Sequence, residues 1–111
     1  MNFVAIAGTA LVALLVSAEP GEKADARDTG PDRIDVSKYP TVHQKEYDVY
    51  ASKCAKCHPL ARSVNARFNS TDWKRYMKRM IRRPNAGINE EQASQIYEFL
   101  KYYSGQLGIK D

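Results

Sequence analysis

The only two cysteines of this 111-residue chain stand three positions apart and are followed at once by a histidine, in the run Cys54-Ala55-Lys56-Cys57-His58. A chain of this length has room for one domain, and an export segment with a tether would leave roughly 70 residues to fold. A core that small is marginal alone, and such chains recruit disulfides, a metal or a large apolar cofactor to complete it. A disulfide across two intervening residues would close too short a loop to remove much entropy from the unfolded chain. The chemistry of Cys54 and Cys57 is therefore the main constraint.

A structural zinc ion usually takes four ligands. Beyond the two cysteines only His43 and His58 remain, and His58 adjoins Cys57 too closely to join it well. A thioredoxin-like dithiol needs a strand leading into the motif and a βαβ pattern around it, and the sequence shows neither. Cys-x-x-Cys-His is instead the attachment signature of c-type haem. Two thiols so spaced at the end of a helix can each add to one haem vinyl group, and the adjoining histidine then lies under the iron. Cys54 and Cys57 are expected to hold one covalent haem, with His58 as proximal iron ligand.

Residues Met1 to Ala18 carry no charge, and Phe3 to Val16 form an apolar run of signal-peptide length. Val16-Ser17-Ala18 offers small residues for cleavage, so residues 1–18 read as an export signal; the alternative is an uncleaved N-terminal anchor. Either places the domain in the periplasm or otherwise outside the cytoplasm. Residues 19–40 change to alternating charges with Pro20, Gly21, Gly30 and Pro31, and no aromatic residue precedes Tyr39. They read as a flexible linker. The net charge of +4 belongs wholly to the chain after residue 18.

Residues 41–111 read as one all-α domain. Pro40 followed by Thr41-Val42-His43-Gln44 has capping-box spacing, and Tyr47, Tyr50, Ala51 and Cys54 continue a buried helical stripe into the first cysteine. Ser70, Thr71 and Asp72 supply a second start, with Trp73, Tyr76, Met77, Met80 and Ile81 on one face before Pro84. Asn89 with Gln92 caps a third helix whose stripe is Ala93, Ile96, Tyr97, Leu100 and Tyr103. No segment after residue 18 alternates long enough to form a strand.

For the sixth iron position the candidates are Met80, Met77 and His43. A thioether raises the potential of an electron carrier, and Met80 closes the apolar face just before Pro84, so Met80 is preferred. Met77 is an alternative that would equally serve the core. His43 lies 11 residues, roughly 16 Å of helix, before Cys54 and is expected to face solvent. Eight cations lie between Arg62 and Arg83 against one acid, Asp72. Read functionally, Arg62 and Arg67 pair the haem propionates and the others steer an acidic redox partner; read blandly, they are a solvated helix face. Trp73 is expected in the core.

The Cys-Ala-Lys-Cys-His run, the helix from Trp73 to Met80 and the final helix around Ile96 to Leu100 resemble small bacterial monohaem cytochromes c over residues 41 to 105. The resemblance implies first and last helices crossing beside the haem, with Tyr47 or Tyr50 meeting Tyr97 or Leu100. It implies a monomeric single-electron carrier and not an enzyme. Alternatives are a haem subunit docked permanently to a larger redox complex, or a ligand-binding haem protein with an open iron site. One departure is that Pro59 follows His58 directly and no further proline comes before Pro84, so the downstream Gly-Pro carbonyl that orients the proximal imidazole in many such proteins has no counterpart.

Overall fold

The computed structural model describes residues 25–111. A single 3-10 turn, Ala26–Asp28, precedes helices α1 (Thr41–Cys54), α2 (Ala61–Val64), α3 (Ser70–Ile81) and α4 (Glu90–Gln106), and no strand occurs among the described residues. The all-α class is thus found. The expected export segment, residues 1–18, lies outside the described residues.

Each helix start can be traced to its first turn. For α4 the expected box forms, with the Gln92 amide donating to Asn89 Oδ1 at 2.8 Å and the Asn89 amide to Gln92 Oε1 at 3.0 Å. For α3 the cap lies one residue earlier than expected. Asn69 Oδ1 accepts from the Asp72 amide at 2.8 Å, and Asp72 Oδ2 accepts from the Asn69 amide at 3.2 Å. The expected Thr41–Gln44 box does not form. Pro40 takes the cap position without a side-chain bond, and Gln44 Nε2 donates instead to the Tyr39 carbonyl at 2.9 Å. Proline already supplies the backbone φ that a helix entry needs, so α1 starts where expected for a different reason.

The core forms where α4 packs against α1 on one side and α3 on the other. Tyr50, Ile96, Phe99 and Leu100 are fully buried and Trp73 nearly so. Phe99, absent from the expected stripe, is the ring that Tyr47 and Tyr50 meet, at 5.2 and 5.4 Å between centroids. Tyr97 is half-buried on the outer flank, with the Lys74 and Lys101 ammonium groups 6.0 and 5.9 Å from its ring. Polar groups between the core rings are paired, as burial demands. Trp73 Nε1 donates to Ser104 Oγ at 2.8 Å, which in turn donates to the Phe68 carbonyl at 2.6 Å. Tyr103 donates to the Val64 carbonyl at 2.9 Å, and Tyr50 shares a hydrogen bond with Ser63. These two bonds fix α2, a helix too short to leave a period in the sequence.

Of the stretch expected as a linker, residues 25–40 lie along the domain. Ile34, Val36 and Tyr39 pack against the core, and the Ile34 amide donates to the Tyr47 hydroxyl at 3.3 Å. Tyr39 meets Tyr102 edge-on at 5.0 Å. Two of the stretch's charges, Asp25 and Asp28, pair with Arg62 on α2.

Candidate haem site

α1 ends at Cys54, the chain turns through residues 55–57, and His58 emerges before α2 begins at Ala61. Across from this turn stands the last turn of α3, which carries Met80. Cys54, Cys57, His58 and Met80 line one cavity of about 620 Å³, a volume within the usual range of cofactor sites. Tyr76, Pro84, Ala86 and Ile88 complete its walls. Arg27, Lys53, Arg62, Arg79 and Arg83 also line it, and among the described residues no Asp or Glu does.

The two thiols differ in setting. Cys57 is exposed, whereas burial at the end of α1 pushes the Cys54 thiol up to about 12 from an ordinary 9.0. A proton held more tightly in the folded chain than in the unfolded one makes stability fall as pH rises between those two values. Haem-free protein is therefore expected to lose stability between about pH 9 and 12, as urea titrations at stepped pH would measure. Cys54→Ser, or thioether formation at Cys54, should flatten that slope. Equal slopes with and without the thiol would remove the effect.

Burial also pushes the His58 imidazole below its ordinary range, and the Arg62 guanidinium adds to this, so at neutral pH the ring is neutral and keeps a lone pair. The Pro59 carbonyl opposes the shift in part without forming a hydrogen bond to Nδ1. His58 Nδ1 is buried with no partner, the one such side-chain atom among the described residues. An orphaned polar atom inside a protein is costly unless something else satisfies it. A neutral imidazole, a thioether across the cavity and two thiols in its lining fit a covalently held haem. The missing acceptor at Nδ1 also matches the absence of a downstream Gly-Pro.

The methionines separate. Met80 is half-buried on the cavity, while Met77 is 6 % exposed in the core and does not line it. His43 is half-buried rather than solvent-facing. Its Nδ1 lies 2.6 Å from Glu46 Oε1 and its ring stacks on Tyr102 at 3.9 Å, away from the cavity lining. Trp73 lies in the core, as expected.

The two arginines expected at the propionates also separate. Arg62 lines the cavity, yet its Nε donates to Asp28 at 2.7 Å and its Nη2 reaches Asp28 and Asp25 at 2.9 and 3.1 Å. Arg67 is exposed in the left-handed region, φ 55°, and does not line the cavity. The cavity's other cations were passed over in the sequence. Arg79 and Arg83 follow Tyr76 at steps of three and four on the α3 register, a signal available beside Met80. Lys53 adjoins Cys54, and nothing in the sequence pointed to Arg27.

Among the described residues no group of three or more His, Cys, Asp or Glu is placed to hold a metal ion directly. Haem attachment does not need one, since the thiols bond to vinyl carbons and only His58 and Met80 would meet the iron. Among the same residues no helix is long and apolar enough to cross a membrane. Comparison with protein-family models, with curated proteins and with solved structures finds no match.

Proposed function

We propose that this chain is a small single-electron carrier that holds one c-type haem between the Cys54–His58 turn and Met80, and exchanges electrons with protein partners outside the cytoplasm. The observation that supports this reading is that the two expected thioether cysteines, Cys54 and Cys57, and the two expected iron ligands, His58 and Met80, line one cavity, which Arg62 also lines and Arg67 does not. The resemblance to small bacterial monohaem cytochromes c adds to it. When bound, the haem supplies one-electron exchange between ferrous and ferric iron. Cys54 and Cys57 fix its position, His58 offers a neutral nitrogen from one side, and Met80 offers a thioether from the other. Tyr76, Pro84, Ala86 and Ile88 add apolar surface to the cavity lining, and a thioether ligand favours the reduced state.

Lys74, Lys78 and Arg82 are exposed on α3 and its end, outside the cavity lining. They are suited to meeting an acidic partner. Electron transfer from the haem-loaded protein to a flavodoxin-like or other acidic redox protein should slow as ionic strength rises, because exposed charges are screened over about 10 Å at 0.1 M salt. Reversing the three to Glu should lower the bimolecular rate at low salt and leave the haem spectrum unchanged. A rate indifferent to both changes would favour a permanently docked subunit, for which encounter does not limit turnover. Binding of carbon monoxide or imidazole without displacing Met80 would favour an open iron site.

A further inference from the structure

Residues 25–31 are held to α2 by side-chain contacts from both directions. Arg62 grips Asp28 and Asp25 as described, and Asn65 Nδ2 donates to the Pro31 carbonyl at 2.9 Å. Gly30 lies between them at φ +97°, where a Cβ would come within 3.3 Å of the Asn65 amide nitrogen, so this close passage takes glycine. Asp25 in turn accepts from Arg27 Nε at 3.1 Å and Nη2 at 2.7 Å. Those hydrogen bonds hold the Asp25 carboxyl well below the usual carboxylate range. Each pair is partly exposed and weak alone, but Asp25, Arg27, Asp28 and Arg62 form one network.

The network sets Arg27 at a junction. Arg27 lines the cavity of Cys54, His58 and Met80, and it also lines a second cavity of about 350 Å³ between this segment, α2 and α3. Arg27, Arg62, Tyr76 and Arg79 are common to both, and among the described residues neither has an acid in its lining. A carboxylate-bearing edge reaching that junction meets guanidinium groups, whose planar donors suit carboxylates. Of the three, Arg62 is already matched by two carboxylates and Arg27 by one. Arg79 lies over the Tyr76 ring at 5.6 Å, with no carboxylate partner among the described residues.

The geometry points to residues Asp25–Pro31 as a strap belonging to the haem site, in which Arg27 and Arg79 present their guanidinium groups to the haem carboxylates while Arg62 latches the strap instead of binding the haem. This rests on the haem reading above. It makes a segment upstream of the helical domain part of the cofactor's wall, and gives Arg62 a positioning role.

The test uses the full chain loaded with covalent haem. Arg62→Gln should free the strap, so that hydrogen exchange at the Asp28 and Thr29 amides, bonded to the Asp25 and Ala26 carbonyls, speeds up by roughly tenfold or more. Arg27→Gln, which leaves the Arg62 bonds to Asp25 and Asp28 in place, should speed that exchange less than Arg62→Gln does and should lower the midpoint potential, because a cation near the iron disfavours the ferric form. Arg27→Lys should restore most of the potential, and Arg67→Gln should move neither quantity. Unchanged exchange in Arg62→Gln, or an unmoved potential in Arg27→Gln, overturns the inference while red, covalently loaded variants leave the haem reading standing. A wild type that takes up no covalent haem removes both.

Discussion

Exported in a cell with haem-attachment machinery, the wild-type chain is expected to be red and to keep its colour through acid-acetone extraction. Cys57→Ala should keep a single thioether, and Cys54→Ala with Cys57→Ala should lose covalent haem altogether. The expectation follows from where the thiols stand. α1 delivers Cys54 half-buried at its last turn, Cys57 lies exposed after one further turn of chain, and both border the cavity that His58 and Met80 enter. The exposed Cys57 gives up little packing when truncated, so a change in haem content there reports on bonding and not on folding. The double variant also loses the cofactor's share of the core. Tyr50, Trp73, Ile96, Phe99 and Leu100 remain packed without it, so the variant should keep helical circular dichroism while melting at lower temperature. A folded, colourless wild type made under the same conditions would end the haem hypothesis.

The sequence carried the parts of this fold that rest on local rules. The Asn89–Gln92 box and the Trp73–Met80 face were legible because capping and a 3.6-residue period are properties of neighbouring residues. The choice of Phe99 over Tyr97 was not, because the crowded run from Tyr97 to Tyr103 lets two adjacent stripes look alike, and only packing against Tyr47 and Tyr50 decides between them. The strap was missed for a related reason. Asp25, Arg27 and Asp28 have the composition of a solvated tether, and only the placement of Arg62 more than thirty residues later turns them into partners. At the site itself, Cys54, Cys57, His58 and Met80 could be singled out from spacing, and they line one cavity. The cations could be counted but not sorted, since Arg67 and Arg79 differ in nothing but where the backbone carries them.

Met80 and Met77 should separate cleanly on substitution, and in opposite respects. Both lie on the α3 stripe one turn apart, but Met80 is half-buried against the cavity while Met77 is 6 % exposed among core side chains. Met80→Ala therefore removes a group from the cavity lining, where the proposed haem iron would sit, and leaves little void in the core. It should abolish the methionine-to-iron charge-transfer band of the ferric protein and lower the midpoint potential, since thioether ligation favours the ferrous state. Met77→Ala removes a packed side chain, at a cost of about 2–5 kcal/mol, and should show as a lower denaturant midpoint with the charge-transfer band intact. The half-exposed loop after α3 bears on the first result. Lys53 Nζ donates to the Gly87 carbonyl at 2.9 Å and ties that loop to the end of α1, so the wall opposite His58 should persist when the thioether is gone. An exogenous ligand such as imidazole should then bind Met80→Ala and restore a six-coordinate spectrum without restoring the potential. Loss of the band in Met77→Ala with its retention in Met80→Ala would put the iron one helical turn from where the cavity lies, and with it the haem outside the cavity.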